Sequence, residues 1–151
     1  MLDYLTRTDG SPLVYLLKAW ATVCAGTIIM VLVGSLFIHA QEPAGAETDT
    51  AGLIPILLLF WPLMVTGFIH LALIPAKLLA PTYWHAAGVV ALGFALIFGL
   101  IGGPVVSIVY MWPFFIFAVT FLAWQLKSST HAWIMTTLLH AMVNLPIILL
   151  L

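Results

Sequence analysis

Hydrophobic positions along this chain fall into long, nearly unbroken blocks. They follow neither the alternation of a half-buried strand nor the one-in-three spacing of a surface helix. At about 20 residues per bilayer crossing, the blocks predict five spans, at about 13–38, 53–73, 86–101, 106–126 and 132–151. The third block is the shortest. It runs into "GLIGGP" (Gly99 to Pro104), where two glycines supply a permissive backbone and a proline restarts the next segment. The hydrophilic stretch "HAQEPAGAETDT" carries Glu42, Glu47 and Asp49 without a cation, and residues 39–52 read as a loop outside the membrane. The expected fold is a single all-α domain over 1–151, a polytopic helical membrane bundle.

Composition sharpens that reading. The 151 residues are 64% hydrophobic and only 6% charged, with a mean hydropathy of +1.23. Soluble domains carry about 25% charged residues, so this chain cannot cover a water-facing surface. A net charge of −1 offers no basic field for nucleic acid. Cys24 is the single cysteine, which rules out an internal disulfide framework and a thiolate metal cluster. The first block resembles a signal peptide in following Arg7, but it exceeds the roughly 7–15 apolar residues of such a segment, and it is read as a span.

The four cations orient the bundle. With five spans and the N-terminus in the cytoplasm, Arg7, Lys18, Lys77 and Lys127 all lie on the cytoplasmic side, as the positive-inside rule requires. The C-terminus then lies outside. Trp20, Trp84 and Trp133 fall near cytoplasmic span ends and read as interfacial anchors. Trp61, Trp112 and Trp124 lie deeper and read as packing residues.

Few polar groups remain within the spans. Thr66 and His70 lie four apart on the second, Gln125 ends the fourth, and Thr136, Thr137, His140 and Asn144 lie on the fifth, in "LLHAMVNLPIILLL". Residues four apart share a helix face, so Thr66/His70 and Thr136/His140/Asn144 form two stripes. Antiparallel geometry sets His70 beside Thr136 in depth. A polar pair in hydrocarbon is costly unless it is hydrogen-bonded or functional. His140 and Asn144 therefore read as an interhelical clasp onto the second helix, as a site where a neutral imidazole ligates haem or chlorophyll, or as catalytic groups. A bis-histidine haem would draw on His70 as its second ligand; a chlorophyll needs only one. His39, His85 and His131 read as loop or boundary residues.

"LLHAMVNLP" in the last helix, after a Lys-Ser-Ser-Thr turn, resembles the end of the CAAX-protease and bacteriocin-processing (CPBP) family of intramembrane proteases, which closes on a His-x-x-x-Asn helix. The family's Phe-x-x-x-His segment is similar to "FGLIG", with Gly102 in the place of the histidine after Phe98. Its Glu-Glu-x-x-x-Arg-Gly motif is similar to "WPLMVTG", where Trp61 and Pro62 replace the acids, Thr66 replaces the arginine and Gly67 is kept. The resemblance spans roughly 55–146 and implies a helical protease scaffold in which a carboxylate activates water. Such a base must accept a proton within about 3 Å of that water. No Asp or Glu follows Asp49, so the resemblance implies a pseudoenzyme.

The function expected is therefore that of a non-catalytic accessory or structural subunit. It would sit in the lipid bilayer of a bacterial inner membrane, cytoplasmic or intracytoplasmic, beside the integral proteins of a larger complex. Aromatic runs such as "MWPFFIF" (Met111 to Phe117) suit contact with helices, lipid, quinone or pigment. The alternatives are a pigment- or haem-binding subunit using His140, with Asn144 and His70 beside it, and a CPBP-type protease.

Overall fold

The computed structural model describes residues 2–36 and 54–150, so the expected outer loop at 39–52 lies outside the described residues. After a short 3-10 turn at Asp3–Leu5 come five helices: α1 (Pro12–Ser35), α2 (Trp61–Leu79), α3 (Tyr83–Gly102), α4 (Pro104–Gln125) and α5 (Ser129–Leu150). A π-helical turn at Ile56–Phe60 leads directly into α2. Among the described residues four helical segments, Pro12–Ser35, Ile56–Leu79, Tyr83–Gly102 and Pro104–Gln125, are long and apolar enough to cross a membrane. The fifth, α5, has 22 residues and carries the polar stripe. The protein is a helical membrane bundle.

Two boundaries differ from the sequence reading. α2 continues to Leu79, past the expected end at Leu73, with Pro75 inside it. An internal proline removes one helical hydrogen bond, and membrane helices tolerate this because the surrounding protein holds the segment. Here Leu73 and Ala76 are buried on either side of Pro75, and Lys77 Nζ donates to Gln125 Oε1 of α4 at 3.0 Å. α3 begins at Tyr83 instead of about residue 86 because Thr82 caps it: its hydroxyl accepts the His85 N–H at 3.4 Å. Ser128 repeats the device ahead of α5, accepting the His131 N–H at 3.1 Å. In both turns the histidine Nδ1 also meets the capping hydroxyl, at 2.5 and 2.7 Å. His85 and His131 are thus exposed helix-start residues.

The turn between α3 and α4 depends on Gly103, whose φ of 88° and ψ of 174° fall in a region open almost solely to glycine. Its N–H closes α3 on the Gly99 carbonyl at 2.8 Å. α4 is the axis of the bundle. Every residue from Ile116 to Trp124 is buried, as expected of a helix apolar on all faces. α1, α3 and α5 pack along α4, and α2 closes the bundle against α3 and α5. The α3–α4 seam is a stack of rings: Phe94 on Phe114 at 4.4 Å, and Phe98 on Tyr110 at 4.9 Å.

Candidate functional site

α2 and α5 meet about one helical turn out of the expected register, and through Thr137, which lies beside the Thr136/His140/Asn144 stripe and not in it. Thr137 Oγ1 donates to Thr66 Oγ1 at 3.2 Å, and the Thr66 hydroxyl donates to the Pro62 carbonyl at 2.8 Å. His70 lies beside Trp133, with ring centroids 5.8 Å apart, and not beside Thr136. Trp133 reaches this position because Gly67 offers no side chain; a Cβ there would come within 3.2 Å of the indole.

Asn144 has a specific task. In the π-helical turn the Trp61 N–H reaches back to the Ile56 carbonyl. In that register the Leu57 carbonyl looks to residue 62, which is proline and has no N–H. A carbonyl left unpaired in the membrane costs several kcal/mol. Asn144 Nδ2 donates to the Leu57 carbonyl at 2.7 Å. The hydrogen bonds between α5 and the second span are made by Asn144 and Thr137, and His140 takes no part in them.

A second internal proline is served in the same way. Pro146 inside α5 cannot donate to the carbonyl of Met142, and Trp20 Nε1 of α1 donates to that oxygen at 2.9 Å. Trp112 Nε1 of α4 likewise donates to the Thr22 carbonyl of α1 at 3.0 Å. Sequence reasoning took Trp20 for an interfacial anchor and Trp112 for packing. Half of the signal was legible: a proline at position i in a span frees the carbonyl at i−4 or i−5, but nothing local names the side chain that serves it.

His140 does not bond α2. Its ring stacks on Phe117 of α4, 4.7 Å between centroids and 26° between planes. It is 7% exposed, and its Nδ1 is buried without a hydrogen-bond partner, as is the Thr136 hydroxyl one turn away. His70 stacks on Phe121, at 5.1 Å and 26°. Phe117 and Phe121 are four apart on α4, so the two imidazoles lie against successive turns of one helix. The three residues singled out as a candidate site therefore diverge: Asn144 to the start of the second span, His140 to α4, and His70 to the α4–α5 seam. Among the described residues no group of three or more His, Cys, Asp or Glu is placed to hold a metal ion.

Among the described residues a groove of about 610 Å³ lies elsewhere, between α2 and α3. Trp61, Phe68 and Ala72 line one side, and Gly93, Ile97 and Phe98 the other. No lining residue ionises, and His70, His140 and Asn144 are absent from its walls. Trp61 and Phe98 thus share a groove suited to apolar groups.

The pairing of Pro62 with Asn144 can be checked directly. Asn144→Leu is expected to cost about 0.6–1.7 kcal/mol, from the average to the maximum for interhelical polar contacts in membranes. This is less than the full penalty of an unpaired carbonyl, because the freed group finds other partners. In a Pro62→Ala background the backbone again supplies an N–H to that turn, and the same substitution should cost measurably less. Unfolding in mixed micelles, followed by helicity, gives both values. Equal costs in the two backgrounds would separate Asn144 from Pro62.

Comparison of the chain with protein-family models, with curated proteins and with solved structures found no match.

Proposed function

We propose that the protein is a non-catalytic accessory subunit that docks laterally, within a bacterial inner membrane, onto a larger membrane complex. The observation that carries this reading is the commitment of Asn144 to the Leu57 carbonyl. The amide that closes the His-x-x-x-Asn motif is used to hold the bundle together. The residues aligned with the family's two acids are Trp61 and Pro62, and neither can take a proton from water. On this reading the chain is a CPBP-like sequence in which structural bonds stand where chemistry would be.

The docking face is the α2–α3 groove. Gly93 is exposed on it, with nothing within 4 Å of where its Cβ would stand. Small residues of this kind let a neighbouring helix approach closely in lipid, where packing drives association. The occupant is an uncharged transmembrane helix whose side chains enter the groove between Trp61 and Phe98. Extraction of the native protein in mild detergent should bring down a defined larger assembly. Gly93→Phe, whose Cβ meets nothing within 4 Å and whose ring would occupy the groove, should leave the helicity unchanged and release the protein alone. Recovery of the wild-type protein alone, or an assembly indifferent to Gly93→Phe, contradicts the proposal.

A second reading, a pigment- or haem-binding subunit, draws support from the buried and unpartnered Nδ1 of His140. The protein would hold such a group through that imidazole, with His70 set one turn along α4. An unchanged visible spectrum in His140→Ala would end it.

A further inference from the structure

The start of α1 carries a second hollow, polar where the α2–α3 groove is apolar. Tyr4, Arg7, Asp9, Ser11, Val14 and Lys18 surround about 330 Å³. The segment that forms one side of it is tied down. Leu5 is fully buried, and Tyr15 donates to its carbonyl at 2.9 Å. The Tyr4 and Thr22 hydroxyls share a hydrogen bond, and Lys127 Nζ donates to the Thr8 carbonyl. The geometry of the hollow is therefore set before any ligand arrives.

Its electrostatics favour an anion. Two cations, Arg7 and Lys18, face one carboxylate, Asp9. Neither cation makes an ion pair among the described residues, and the Ser11 side chain makes no capping bond to α1. Pro12 is the first residue of that helix, whose free N–H groups add a partial positive charge at the same end. Arg7 can present parallel donors to a phosphate, and Lys18 a point charge.

Its surroundings favour a lipid over a soluble ion. Val14 is part of the wall, and about three to four turns further along α1, on the helix face of Lys18, Ile29 and Leu32 stand exposed at 57% and 62%. From the helix start inwards the cations thus give way to bare apolar surface, which is the order of groups in a phospholipid. Basic recesses beside membrane helices on the cytoplasmic side are suited to anionic head groups.

We propose that this hollow binds the phosphodiester head group of an anionic glycerophospholipid, with its acyl chains running inwards along α1 towards Ile29 and Leu32. The inference stands apart from the docking reading, because it uses the opposite chemistry on a different helix.

The test is native mass spectrometry of the full chain in micelles with equal phosphatidylglycerol and phosphatidylcholine of matched acyl chains. Preferential retention of phosphatidylglycerol is expected. Arg7→Gln and Lys18→Gln should each lower it about five-fold, and Asp9→Asn should raise it. Both cations are exposed, so these variants keep the fold, as helicity will verify. Equal retention of the two lipids, or retention unaffected by removing both cations, would overturn the proposal. Displacement of the lipid by millimolar inorganic phosphate would also overturn it, since the hollow would then be a site for soluble anions.

Discussion

Trp124→Ala is expected to lower stability by about 3 kcal/mol, the largest loss from truncating any one side chain in the bundle. Large aromatic truncations in soluble cores cost about 3–5 kcal/mol, from lost transfer energy and the cavity left behind. In lipid the transfer component falls away and lost packing remains, which places the value at the lower end. Trp124 is 1% exposed and holds three parts of the molecule together. Tyr15 of α1 meets it edge-on at 5.3 Å, His131 of α5 stacks on it at 6.2 Å, and Lys127 lies 4.7 Å over its ring. Tyr15 in turn holds the Leu5 carbonyl, so the cavity would loosen the segment ahead of α1. Trp124→Phe keeps a ring there and removes an indole N–H that has no hydrogen-bond partner among the described residues. It should cost less than about 1.5 kcal/mol. Reversible unfolding in mixed micelles separates the two variants; equal losses would show that the contacts of the ring matter less than this packing implies.

Gly26→Val is the second large effect. A valine at an exposed helical site gains several tenths of a kcal/mol over glycine from helix propensity, so the sign must be argued. A Cβ at Gly26 would fall inside the indole of Trp112. The ring would have to move, breaking the Nε1 bond to the Thr22 carbonyl and disturbing the packing of Trp112 on Phe115. Overpacking costs about 1–3 kcal/mol and the lost bond about 0.6 kcal/mol more, so destabilisation wins by about 1–3 kcal/mol. The partner substitution Trp112→Ala should remove most of the penalty, because the side chain in the way is gone. The double-mutant cycle reads that coupling directly. Additive effects would mean that α1 and α4 do not meet through this pair.

How far the sequence alone leads can be seen in particular residues. Block length and the shortage of charge were enough for a helical membrane bundle, and the glycines before Pro104 were enough for the α3–α4 turn. The polar stripes on α2 and α5 were visible from four-residue spacing, and the two helices do meet. Their register was not visible, because axial offset is set by side-chain packing: Trp133 slots against Gly67, which brings Thr137 to Thr66. His140 was expected to bond α2 and instead lies on Phe117, since periodicity fixes a face and not which neighbour covers it. The extension of α2 through Pro75 was missed because a proline in water ends a helix more often than a proline in a packed bundle does. The donors that satisfy the Leu57 and Met142 carbonyls come from partners 87 and 122 residues away along the chain, beyond the reach of any local pattern. The α2–α3 groove has no local signature either, because it arises from the spacing between two helices.

The measurement that bears most directly on the accessory-subunit account is site-specific photocross-linking in native membranes. The probe would stand at Gly93 or Ile97 on the groove, and at Ile29, which is 57% exposed on α1, as the control. Adducts to one integral membrane protein from the groove positions, and none from position 29, are the result the account requires. Groove positions that yield only lipid adducts, or the same products as position 29, would contradict it.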